Sequence, residues 1–181
     1  MSARNDTDAG APIAVIGIGN VLLGDDGFGP YVVELLQSRW SFPSTVALID
    51  AGTPGLDLVS YLLGREVVIL VDAIAADGQP GELRVYSGAE LQRLPLQPRV
   101  SPHDPAVQEA LWTAQLAGFD PQVILIGAIP LATETGAGLS PTLRDTALDA
   151  AVLVVRELRE HDIKVTTCRS QATPSLWWDA P

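Results

Sequence analysis

Val67-Val-Ile-Leu-Val-Asp-Ala-Ile74 is apolar and largely β-branched from end to end, interrupted by a single carboxylate at Asp72. A strand with one wet face alternates apolar and polar residues. A run without alternation fits a strand covered on both faces, as in a parallel sheet flanked by helices. Ile13-Ala-Val-Ile-Gly-Ile-Gly19 and Val123-Ile-Leu-Ile-Gly-Ala-Ile129 repeat the pattern, and Val46-Ala-Leu-Ile-Asp50 is a shorter version of it. Glu82-Leu-Arg-Val-Tyr86 follows a Gly78-Gln-Pro-Gly81 turn and alternates more, which predicts a strand nearer an edge.

Helical spacing fills the intervals, at roughly 27–39, 56–63, 105–117 and 141–160. The last is the clearest. Ser140 and Pro141 fit the cap and first helical position, and Leu143, Ala147, Ala151, Val154 and Leu158 recur at three- and four-residue intervals. Strand and helix alternate, so the expected fold class is α/β, a three-layer αβα sandwich around a mostly parallel twisted sheet of about five strands. Residues 12–162 form the expected single domain. Residues 1–11 are expected to be a flexible N-terminus, and 163–181, with Trp177-Trp178, a flexible tail.

The 181 residues are 47% hydrophobic and 18% charged, enough apolar material for one packed core and too much for global disorder. Lys and Arg total 11 against 22 Asp and Glu, a formal net charge of −11. Phosphate backbones are bound by clustered cations, which are lacking, so nucleic acid is not an expected partner. Cys168 is the one cysteine, which excludes an intrachain disulfide. No apolar run approaches the roughly 18 residues of a membrane span, and the N-terminal residues show no signal-peptide stretch; a cytoplasmic protein without membrane contact is expected.

In open α/β sheets, ligands bind beyond the carboxyl ends of the strands. Four stretches fall there: Gly17-Ile-Gly19-Asn20 leading to Gly24-Asp-Asp26-Gly27, Asp50-Ala-Gly-Thr-Pro-Gly55, Asp72, and Ser101-Pro-His103-Asp-Pro105. Gly17-x-Gly19 invites a dinucleotide-binding reading. Leu22 stands where the third glycine belongs, however, and Asp25-Asp26 would repel a pyrophosphate. One of these two acids suits the neighbouring helix N-terminus as a cap. Asp72 is different, since a carboxylate ending so apolar a strand costs free energy unless it is paired, hydrogen-bonded or metal-bound. His103 gains interest because two carboxylates are expected at the same sheet edge, and two oxygens with one imidazole make an open divalent-metal site. His161 falls at the polar end of the last helix, and Cys168 lies in the tail, where a catalytic thiol would be poorly preorganised.

Gly17-Ile-Gly-Asn-Val-Leu-Leu-Gly-Asp-Asp-Gly-Phe-Gly29, Asp50-Ala-Gly-Thr-Pro-Gly55, Val71-Asp72-Ala73, the Ser101-Pro-His103 loop, Gly127-Ala-Ile-Pro130 and Gly138-Leu-Ser140 together resemble the hydrogenase maturation endopeptidases, in order and spacing across residues 13–160. The resemblance implies a protease that removes the C-terminal extension of a nickel-iron hydrogenase large-subunit precursor after nickel insertion. It implies a metal-contacting set of Asp26, Asp72 and His103, with Asp26, Asp50 and Asp72 in catalytic roles and Gly19, Asn20, Gly52 and Thr53 positioning substrate. The nickel is then supplied by the precursor, no tightly held metal of its own is expected, and monomer is the default state. Ile129 stands where many relatives carry a polar residue. A metal-dependent hydrolase of another substrate and a non-catalytic metalloprotein chaperone are the competing readings.

Overall fold

A computed structural model describes residues 10–93 and 106–168, with Pro174 and Leu176. Its main sheet has five strands, β1 (Ile13–Ile18), β3 (Val46–Gly52), β4 (Val67–Ala73), β5 (Leu83–Ser87) and β6 (Gln122–Ala128), in the order β3-β1-β4-β6-β5. All neighbours are parallel except β5, which runs antiparallel to β6. Burial follows the sequence pattern. Every residue of β1 and β4 is buried, while edge strand β5 is partly exposed along its length.

The helices are α1 (Phe28–Arg39), α2 (Leu58–Leu62), α3 (Gly88–Leu91), α4 (Ala106–Leu116) and α5 (Pro141–Glu160). Helices α1 and α5 cover one face of the sheet, where Phe28, Val32 and Leu36 meet Leu143, Val154 and Leu158 over Val15, Ile69 and Ile126. Helices α2 and α4 cover the other, with Leu58, Leu62, Ala110 and Leu111 over Ile16, Val68 and Leu70. The three-layer expectation therefore holds. Ser140 caps α5, its Oγ accepting from Leu143 N–H at 3.3 Å with Pro141 in the first turn, and His161 is the C-terminal cap residue of that helix. Among the described residues, no helix is long and apolar enough to cross a membrane.

Two boundaries drawn from the sequence shift. Ala11, placed in the flexible N-terminus, is buried, and its carbonyl accepts from the Arg65 guanidinium. Residues 163–168, placed in the tail, pack on the body. Here β7 (Thr166–Thr167) pairs antiparallel with β2 (Trp40–Ser41), and Cys168 N–H donates to Arg39 O at 2.8 Å. Val165 and Leu176 join the core under α1 and α5. The physical reason is that α1 ends in Trp40, whose extended backbone offers an unpaired edge that the returning chain completes. Trp177 and Trp178 lie outside the described residues.

Glycines set how closely α1 approaches the sheet. A Cβ on Gly29 would lie 2.3 Å from Ile18 O and from Val71 O, and one on Gly17 would lie 2.4 Å from Gly29 O. These two positions let the start of α1 rest against the backbones of β1 and β4. Gly17, the first glycine of the Gly17-x-Gly19 pattern, thus serves helix-on-sheet contact.

Candidate active site

Strand order reverses at β1: the chain passes from β1 to β3 on one side, then returns to β4 on the other. The crevice beyond the carboxyl ends of β1 and β4 is the switch point where α/β proteins bind ligands. Asp26 and Asp72 flank it. Asp26 sits in a single 3-10 turn, Gly24–Gly27, that packs against β4 and opens directly into α1. Asp72 is the penultimate residue of β4. Each is only 3% exposed. Asp26 Oδ2 accepts from Asn20 N–H at 2.9 Å. Gly19, at φ +140°, allows this fold-back: any side chain there would collide with Asp26 O.

Asp25 does something else. Its Oδ1 accepts from Ser140 N–H at 2.7 Å, and its Oδ2 from Leu131 N–H at 2.9 Å, Ala132 N–H at 3.2 Å and the Ser140 hydroxyl at 3.0 Å. The backbone adds Asp25 N–H to Ala132 O at 3.0 Å and Gly24 N–H to Gly136 O at 2.7 Å. The expectation that one of the two acids caps the adjacent helix is corrected. The N-terminus of α1 has no side-chain cap, and Asp25 instead clamps the loop from Leu131 to Ser140 against the turn that carries Asp26. The sequence hint was Ser140 in Gly138-Leu-Ser140, but nothing local links it to a residue so far away in the chain.

Asp50 is separated from Asp72. Along β3, Val46 and Leu48 face the α1 and α5 layer, and period-two alternation puts Asp50 on that face. Along β4, Val68, Leu70 and Ile74 face the α2 and α4 layer, and Asp72 shares their side. With β1 between them, the two carboxylates occupy one edge of the sheet but opposite faces. Asp50 Oδ1 accepts from Gly52 N–H at 3.0 Å. Asp50 as a whole residue is exposed, but the crowding of its carboxyl group by the surrounding chain raises its pKa, and that hydrogen bond opposes the rise. Glu34 on α1 is raised as well, first by burial and then by the negative charge of Asp50.

The residues expected to position substrate are largely engaged in local architecture. Gly19 N–H donates to Gly52 O at 2.8 Å, tying the two loops together, and Asn20 Oδ1 accepts from Leu22 N–H at 3.0 Å. Gly52 adopts φ +57°, and Thr53 is exposed beside it. Ile129 is buried, and its N–H donates to Glu82 O at 3.0 Å, so it packs inside the protein. His103 lies outside the described residues; the described chain resumes at Ala106, the first residue of α4. Among the described residues, no three His, Cys, Asp or Glu side chains are gathered as a metal site. A hollow of about 380 Å³ between α3, α4 and the start of β6 is lined by Ser87, Gln92, Leu111 and Gln115, at the sheet end opposite Asp72.

Comparison with known proteins assigns this arrangement to a class. The hydrogenase maturation protease family profile matches residues 30–157. The chain belongs to that family and is a peptidase. It is 36% identical over 156 residues to the hydrogenase expression/formation protein HupD of Bradyrhizobium diazoefficiens, covering 85% of this chain and 81% of the relative. It is 32% identical over 154 residues to the hydrogenase 2 maturation protease of Escherichia coli, covering 84% and 93%. The solved hydrogenase maturating endopeptidase HybD from E. coli superposes with a TM-score of 0.81 at 31% identity, covering 88% of this chain and 99% of that one.

Proposed function

We infer that this peptidase removes the C-terminal extension of a nickel-iron hydrogenase large-subunit precursor once nickel is in place. The observation that carries the reading is the pair of nearly inaccessible carboxylates, Asp26 and Asp72, at the switch point of a fold shared with maturation proteases. Two carboxylates at one end of the sheet supply negative charge and oxygen ligands that attract a divalent cation. Imidazole suits nickel among the first-row divalent ions, and carboxylates can add oxygen ligands to it.

Nickel enters as part of the substrate. Asp26 and Asp72 contact it, and His103 completes the set; the chain reaches Ala106 three residues after His103, on the sheet face that Asp72 shares. A nickel ion bound to the precursor polarises a carbonyl or a water near the scissile bond. Asp50, on the opposite face, is assigned to the path of the peptide together with Gly52 and Thr53. The enzyme works as a cytoplasmic monomer on the precursor of a nickel-iron hydrogenase large subunit and holds no metal of its own between turnovers. Asp26→Ala and Asp72→Ala should each slow trimming of the nickel-loaded precursor by about a hundredfold. Trimming at the normal rate by either folded variant would refute the assignment.

A further inference from the structure

Leu22 and Leu131 are 53% and 58% exposed, on the two loops that carry and brace Asp26. Single exposed leucines are ordinary. These two differ because the backbone beneath each is tied down. Leu22 N–H donates to Asn20 Oδ1 and Leu22 O accepts from Gly136 N–H, both at 3.0 Å. Leu131 N–H donates to the buried Asp25 carboxylate at 2.9 Å. Since Asp25 and Gly136 also join the loops to each other, both leucines stand on one hydrogen-bonded unit, and backbone geometry holds them outward.

The chemistry of the surrounding chain narrows what they meet. Residues 20–27 and 130–140 contain Asp25, Asp26 and Glu134 but no Lys or Arg, so an acidic segment is repelled. Asp26, carried on the same hydrogen-bonded unit, is only 3% exposed, and an extended chain reaches such a group more readily than a broad folded surface does. We propose that Leu22 and Leu131 form an apolar rim that grips an extended, apolar and non-acidic segment of the precursor beside the scissile bond. This subsite rests on the proteolytic reading above. A rim fixed in its bound shape lowers the ordering cost of association, and because it touches no reacting atom, its loss weakens binding more than turnover.

The test uses the full chain with a photo-crosslinking residue replacing Leu22 or Leu131, irradiated with the nickel-loaded precursor of the cognate hydrogenase and mapped by mass spectrometry. Crosslinks to the C-terminal segment of the precursor are expected. Crosslinks confined to its folded body, or to a second copy of this chain, overturn the proposal. In kinetics, Leu22→Ser and Leu131→Ser should each raise KM about tenfold, with kcat falling less than about threefold. Leu116→Ser, at the far end of α4 and 90% exposed, should change neither. An unchanged KM in both rim variants overturns the proposal. Failure of the unsubstituted enzyme to trim any precursor would overturn the proteolytic reading, and the crosslinking would still decide the rim.

Discussion

At Asp25, three backbone N–H groups and one hydroxyl converge on two carboxylate oxygens that water hardly reaches. Each oxygen faces at least one backbone donor, so an amide cannot replace the acid in either orientation without turning its own NH2 against an N–H. Asp25→Asn should therefore destabilise the fold by about 2 to 3 kcal/mol, measured by urea unfolding. A cost below about 0.5 kcal/mol would mean that the clamp is not formed as described. The Glu34 and Asp50 pair has the opposite sign. Both carboxyls have raised pKa values in the fold, so the native state holds protons that the unfolded chain releases, and stability falls as pH rises from about 4 through the raised values. Glu34→Gln should flatten that fall and raise Tm at pH 7; a lower Tm at pH 7 would contradict it. Legibility at this scale was uneven. Asp72 announced itself as a lone acid in an apolar run, whereas Asp25 and Asp26 are adjacent and chemically identical in sequence. Only the partner loop from Leu131 to Ser140 separates their roles. His103 was marked by its residue type and its proline-bracketed loop, and it lies outside the described residues.

The elements were the most legible level, because β-branched runs and a three- to four-residue apolar period are local signals. Helix α5 runs from Pro141 to Glu160 as its cap and spacing indicate. Helix α3 is short, but Ser87 and Glu90 form a reciprocal capping box that the residue types alone allow. Contacts between elements were less legible. Nothing in Gly29 alone shows that the backbones of β1 and β4 touch it. Gly29→Ala should cost about 3 kcal/mol or more, since the new methyl group would overlap carbonyl oxygens that cannot move aside. Gly64→Ala, at φ +74° with nothing near its would-be Cβ, should cost only about 1 to 2 kcal/mol of backbone strain. Equal losses in thermal unfolding would show that α1 does not sit so close to the sheet. The pairing of β2 with β7 was also invisible in sequence, because two threonines carry no periodicity. Deleting residues 163–181 removes that pairing and strips Val165 and Leu176 from the core, which should lower Tm by about 5 to 10 °C. An unchanged Tm would return those residues to the status of a loose tail.

At the scale of the molecule, one topological reversal does most of the organising. By placing β3 and β4 on opposite sides of β1, it opens a crevice at the carboxyl edge and brings the ends of β1 and β4, with Asp26 and Asp72, to it, while Asp50 lies on the face opposite Asp72. The α/β class followed from alternating elements. The order of the strands did not, because any run covered on both faces fits any interior position. The same limit hid the separation of Asp50 from Asp72, which depends on which face each strand turns toward its helices. A fold shared with maturation proteases, an acidic surface of net charge −11 and a buried acid pair at the switch point support one central claim, that cleavage waits for the metal in the precursor. The most direct measurement is the intact mass of nickel-loaded and nickel-free large-subunit precursor after incubation with this protein. Loss of the C-terminal extension from the loaded form alone is the expected result; equal trimming of both forms, or of neither, would contradict the claim.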